Sequence, residues 1–130
     1  MADVVQTQFR VLSESSVVLM ARIVDYAGSR CTQAALSAIE YTAYAEDEEG
    51  TLTAVTGHTG VALVVASTIY DTLQTTAALW TADTTGFNFK AIPDVSVYPL
   101  FVSGKTYVVK VKATPVSGQV IRWDYRGVCA

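Results

Sequence analysis

A single histidine limits the acid–base and nucleophilic chemistry open to this chain. A serine or cysteine nucleophile needs a base to take its proton. His58 is the one imidazole available, and it stands in Gly57-His58-Thr59-Gly60, a turn-forming stretch with no G-x-S-x-G element beside it. It reads as a turn residue. The thiols of Cys31 and Cys129 are the other reactive groups. In a sandwich, Cys31 would follow the second strand at one end and Cys129 the last strand at the other. A final strand of about eleven residues spans roughly 33 Å, whereas bridged α-carbons lie within about 7 Å. The two are therefore expected as unbridged thiols.

The carboxylates are no more suggestive of a reaction. Glu46-Asp47-Glu48-Glu49 offers oxygen ligands, but it lacks the D-x-[DN]-x-[DN]-G alternation that wraps a calcium ion, so it reads as a solvated hairpin tip. Asp71, Asp83 and Asp124 carry no local motif that would set two of them across a cleft, as glycoside hydrolysis requires. The chain has no glycine-rich phosphate loop, C-x-x-C pair or H-E-x-x-H element. The reading is of a chain with no catalytic, cofactor-binding or metal-binding residues and no cofactor.

What remains is a set of packing residues and the elements that hold them. Valine and threonine supply 35 of the 130 residues, both β-branched and suited to strands. Charged residues make up 16%, well below the roughly 25% usual for soluble domains. A surface so poor in charge tends to associate, so much of it is expected to be covered by a partner or by copies of the chain. The net charge of −3 and the absence of a Lys/Arg cluster denser than Lys110 and Lys112 argue against nucleic acid and against an anionic membrane surface. The longest apolar runs, such as residues 61–66, fall far short of the roughly 20 a spanning helix needs. Met1-Ala2-Asp3-Val4-Val5 does not read as a secretory signal, so synthesis in a cytoplasm is expected.

Length fits one domain over residues 1–130. Period-2 patterns recur between glycine-centred breaks, the spacing of an all-β sandwich of short antiparallel strands. Residues 7–12 and 16–24 read as the first two strands, the second with Val17, Leu19, Ala21 and Ile23 on one face. Residues 32–36 read as one capped turn. Ile39, Tyr41 and Ala43 mark the inner face of a third strand, and residues 51–55 and 61–66 flank the His58 turn as two more. A short helix is expected over residues 72–79, then a strand over 87–92 ended by Pro93. The clearest pattern is a terminal hairpin of 106–113 and 119–128, with Tyr107, Val109, Val111 and Ala113 inward and Lys110 and Lys112 outward. Tyr107, at the start of the penultimate strand, is placed to tie down a loop through its hydroxyl.

Aromatic residues crowd the middle of the chain: Tyr70, Trp80, Phe87, Phe89, Tyr98 and Phe101. Core filling explains most of them, and Tyr70, Trp80 and Phe101 are the candidate interface anchors. Residues 2–12 read either as an arm that adds a strand to a neighbour's sheet or as an ordinary first strand, so Phe9, Arg10 and Val11 join the interface set.

Ile69-Tyr70-Asp71-Thr72-Leu73-Gln74-Thr75, Trp80-Thr81-Ala82-Asp83, Gly86-Phe87-Asn88-Phe89 and Gly104-Lys105-Thr106-Tyr107 carry a resemblance that runs from about residue 16 to 124. The sequence resembles small immunoglobulin-like virion structural proteins of tailed bacteriophages. The resemblance implies an immunoglobulin-like β-sandwich of about seven to nine antiparallel strands. It further implies a non-enzymatic role in the virion, as a capsid decoration or cement protein whose partners are the major capsid protein or other virion proteins. Homo-oligomer or lattice contacts would accompany that role. A stalk or receptor-binding region of the kind baseplate members carry is not seen in this chain, which favours decoration. A tail or baseplate accessory module and a cell-surface adhesion or carbohydrate-binding module are the alternatives.

Overall fold

Alternating β-branched residues build ten strands among the residues that the computed structural model describes, which are 4–6, 9–11, 17–24, 28–75, 80, 84–96, 98, 100–102 and 104–129. They are β1 (Val4–Gln6), β2 (Phe9–Val11), β3 (Leu19–Ile23), β4 (Leu36–Glu46), β5 (Leu52–Ala54), β6 (Val61–Leu63), β7 (Ile69–Gln74), β8 (Phe87–Ala91), β9 (Thr106–Pro115) and β10 (Ile121–Cys129). One sheet runs β1-β3-β8-β7, and the other runs β2-β10-β9-β4-β5 with β6 also paired to β4. The two pack into an all-β sandwich. Side chains of both sheets meet in one core, Leu19, Ile23 and Phe89 from the first against Ile39, Val109 and Tyr125 from the second. Each of these large side chains contributes about 1.5–3 kcal/mol on burial.

The terminal hairpin forms as the alternation predicts. Tyr107, Val109, Val111 and Ala113 are buried, Lys110 is exposed and Lys112 half-buried. Ile39, Tyr41 and Ala43 of β4 are buried in register with Ala113, Val111 and Val109.

Elsewhere the chain departs from the expected pattern. Of the strand expected over residues 7–12, residues 9–11 form β2 and residues 7, 8 and 12 lie outside the described residues; β1 precedes them and pairs antiparallel with β3, while β2 pairs parallel with β10, so the sandwich is not antiparallel throughout. The backbone hydrogen bonds of these segments are thus made inside the chain, which favours the first-strand reading over the arm. The helix expected over 72–79 is displaced. Residues 69–74 are strand β7, residues 76–79 lie outside the described residues, and the short helix α1 is Val65–Thr68, where residues 61–66 read as strand. Thr68 Oγ1 donates back to the Val64 carbonyl at 2.9 Å, closing that turn.

β3 is buried on both faces rather than one. Val17, Leu19, Ala21 and Ile23 point into the main core, while Met20 packs with Trp80 and Phe87 in a second cluster. Residues 33–35 form one 3-10 turn, but the Thr32 side chain does not cap it. Asp71 does so from across the sandwich, its Oδ1 accepting the Gln33 amide at 2.8 Å.

Candidate functional site

His58 is the first residue to place, and it is not the plain turn residue expected. Gly57 and Gly60 adopt positive φ and set the turn, but the imidazole swings inward to 1% exposure. Its Nε2 lies 2.6 Å from the Tyr98 carbonyl oxygen and its Nδ1 lies 2.7 Å from the Tyr41 hydroxyl. A carbonyl only accepts, so Nε2 carries the proton, and in the neutral ring Nδ1 accepts from Tyr41. Its backbone carbonyl also accepts the Ala43 amide at 2.8 Å. Every hydrogen-bonding atom of the ring is committed to holding the 92–102 connection against β4. Burial pushes the Tyr41 phenol above its ordinary range, and the nearby Asp94 charge adds to the shift. Asp94 itself is held below the usual carboxylate range by hydrogen bonds from the Ser96 hydroxyl and amide.

The predicted interface residues do not come together. Phe101 is fully buried, stacked edge-on against Tyr107 at 5.1 Å between ring centroids, and cannot anchor a partner. Trp80 is 7% exposed and fills the second cluster against Phe87. Both are corrections: each packs inside the chain because sheet faces at those points offer apolar surface to cover. Tyr70 is half-buried, its ring edge-on to Phe87 at 5.8 Å. The side chains of Phe9, Arg10 and Val11 lie outside the described residues; their backbone pairs with Gly127, Val128 and Cys129.

The other candidates for chemistry are spread over the molecule. Cys31 and Cys129 are both buried and no disulfide joins them. Asp47 stabilises its own tip, its Oδ1 accepting the amides of Glu49 and Thr51. Asp124 faces outward from β10, Asp71 caps the 3-10 turn, and Asp83 lies outside the described residues. Among the described residues no group of three His, Cys, Asp or Glu side chains is placed to hold a metal, and no helix is long and apolar enough to cross a membrane.

Two surfaces stand out. At one end of the sandwich, segments 31–39, 61–70 and 113–121 converge, and not one of their residues is charged. Leu36 pairs with Pro115, the Val116 amide donates to the Ala35 carbonyl, and Gln33 Nε2 donates to the carbonyls of Ala66 and Ile69. Within these segments Val64 is 64% and Val116 70% exposed, Ala34 and Ala35 are exposed too, and the Asp71 carboxylate lies at the edge of this end on the Gln33 amide. A concavity of about 270 Å³ lies between the 3-10 turn and the β9–β10 loop. Sequence reasoning missed this end because its three segments are far apart in the chain, although the lack of charge in each was readable.

The second surface is the outer face of β4, β9 and β10. It carries a groove of about 510 Å³ lined by charged and aromatic side chains, with Lys112 3.8 Å from Glu40 and the Lys110 ammonium 5.5 Å from the centre of the Tyr44 ring. Arg126 reaches across to pair with Glu46. The chain matches no protein-family model, no curated protein and no solved structure.

Proposed function

We propose that the chain is a non-enzymatic, immunoglobulin-like structural module of a tailed-phage virion, most concretely a capsid decoration or cement protein that bridges coat subunits and packs against them. The observation that carries this reading is the uncharged end. Three separate segments without a charged residue meet there, with Val64 and Val116 exposed and the Asp71 carboxylate at their edge on the Gln33 amide, and a surface so poor in charge is suited to a protein–protein contact. Repeated over many copies, such modest contacts add up to tight retention.

The strand order supports the immunoglobulin-like part of the reading. β1, β3, β8 and β7 take the places of strands A, B, E and D, and β10, β9, β4 and β5 those of G, F, C and C′. Tyr107 adds to it: its hydroxyl accepts the Val102 amide at 2.7 Å, a tyrosine at the start of strand F bonding back to the preceding loop. The domain departs from antibody relatives in its centre. Strand C has Tyr41 where a tryptophan would stand, the tryptophan being Trp123 on β10, and no inter-sheet disulfide is present. The engagement of both His58 nitrogens supports the non-enzymatic part.

The test is a mass-spectrometric count of this chain in gradient-purified particles. Many copies per particle are expected, and absence from particles ends the reading. Val64→Glu with Val116→Glu, both on exposed positions, is expected to abolish retention on particles while leaving the unfolding midpoint unchanged.

A further inference from the structure

The terminal hairpin gathers three cations that lie apart in the sequence. Across β9 and β10, Arg122 faces Lys112 and Asp124 faces Lys110, so these four outward residues hold the corners of one block of the sheet. Directly opposed side chains have Cβ atoms about 5 Å apart, a distance at which two like charges destabilise a sheet. Lys112 leans away from Arg122 to Glu40 on β4, at 3.8 Å. The ammonium of Lys110 lies 5.5 Å from the centre of the Tyr44 ring, while Asp124 has a partner of its own. Among the described residues neither Lys110 nor Arg122 forms an ion pair. Both are exposed, on a groove of about 510 Å³. Setting Arg122 against Lys112 brings the fold no gain, and a local rule broken in this way is the mark of a functional surface.

We propose that this groove binds an extended acidic segment of another protein, one that carries two carboxylates two residues apart. One carboxylate lies between Lys112 and Arg122 and quenches their repulsion, and the next lies over Lys110. Spacing selects this ligand. Lys112 and Lys110 stand two residues apart on β9, about 6.8 Å, and alternate side chains on one face of an extended peptide repeat at the same distance. A denser polyanion fits poorly. Charges along a nucleic-acid strand recur about every 3.4 Å, so some would fall against Glu40 and Asp124 in the same groove, on a chain whose net charge is −3.

The hold is weak, because exposed ion pairs contribute little each and salt screens them. For a short peptide a dissociation constant on the order of 1 mM is expected. The site depends neither on the uncharged end nor on the virion reading.

Titration of the intact chain with acetyl-Thr-Asp-Thr-Asp-Thr-amide, followed by amide chemical shifts, tests the proposal. Saturable shifts over residues 110–112 and 122–124 are expected at about 0.02 M salt, and they vanish at about 0.5 M, where the Debye length is about 4 Å. Two comparison peptides separate spacing from charge. One with adjacent aspartates, whose carboxylates point to opposite sides of an extended chain, is expected to bind about threefold more weakly or worse, and one with asparagines not at all. Arg122→Thr removes one of the two facing cations at an exposed position. Its affinity is expected to fall about fivefold or more, while its unfolding midpoint at low salt rises as the repulsion is relieved. A parent chain with no saturable shift overturns the proposal. So does equal affinity for the adjacent-aspartate peptide, or an Arg122→Thr chain that binds as the parent does or unfolds at a lower temperature.

Discussion

His58 Nε2 and the Tyr98 carbonyl oxygen lie 2.6 Å apart across forty residues of chain, and this contact fixes the connection between β8 and β9 to the edge of β4. Replacing His58 by Ala leaves the Tyr98 carbonyl and the Tyr41 hydroxyl without their buried partner. Each costs about 1–3 kcal/mol, and the missing ring leaves a void besides. A loss of roughly 3–5 kcal/mol in urea unfolding is expected, against about 1–2 kcal/mol for Tyr41→Phe. A loss below about 1 kcal/mol for His58→Ala would contradict this double anchoring.

Asn88 holds the end of β3 in the same manner. Its Oδ1 accepts the Ile23 amide at 2.8 Å, and its Nδ2 donates to the carbonyls of Ile23 and Cys31, each at 3.0 Å. It is fully buried, so Asn88→Leu removes three buried hydrogen bonds to the backbone at once, leaving the Ile23 carbonyl only the Cys31 amide at 3.2 Å. An expected loss of about 3 kcal/mol or more can be read by thermal unfolding, and a neutral result would refute the assignment.

The Tyr107 hydroxyl accepts the Val102 amide at 2.7 Å. Tyr107→Phe keeps the ring stacked on Phe101 and removes only this acceptor, so the expected change is local. The Val102 amide should exchange with solvent deuterium faster, with global stability reduced by about 1–2 kcal/mol.

Alkaline pH bears on the core through its phenols. Burial pushes the Tyr125 hydroxyl well above its ordinary 10.0, only partly offset by the hydrogen bond from Trp123, and burial likewise raises Tyr41 and Tyr107. A raised folded value means that the stabilising contribution is complete below pH 10 and is lost as pH climbs past it, when the unfolded chain releases protons that the folded chain retains. For Tyr125 the loss is about 1.4 kcal/mol per pH unit. Denaturant midpoints should be flat from neutral pH to about 9 and fall above 10, and Tyr125→Phe should lessen that slope whatever its effect at neutral pH.

Strict alternation made the centre of the sandwich legible, because Tyr107, Val109, Val111 and Ala113 need only local spacing to be read as one face. Tyr107's hydroxyl bond was legible for the same reason, as its position at the strand start is a local fact. The inward turn of His58 was not, since its partners are seventeen and forty residues away and nothing beside the ring names them. Trp80 and Phe101 read as interface anchors, yet Trp80 is buried against Phe87 and Met20 and Phe101 against Tyr107, contacts that only the packed sheets bring about. The helix expected over 72–79 meets strand at residues 72–74, while residues 76–79 lie outside the described residues, and the four residues of α1, closed by the Thr68 amide and hydroxyl on the Val64 carbonyl, are too short a signal to read from the sequence. The uncharged end was readable only in pieces, and its assembly depends on β4 starting where β9 finishes.

The free side of β4 is shared by two strands of three residues each, β5 against Tyr44, Ala45 and Glu46 and β6 against Ile39, Glu40 and Tyr41, with the His58 turn wedged between them. An incoming strand at that border finds no unbroken row of amides and carbonyls to zip onto, only two stubs separated by a kink. Crowded copies are thereby steered away from fibre-like ribbon growth at this rim, and contact between them is left to side chains, whose chemistry can be tuned without endangering the fold.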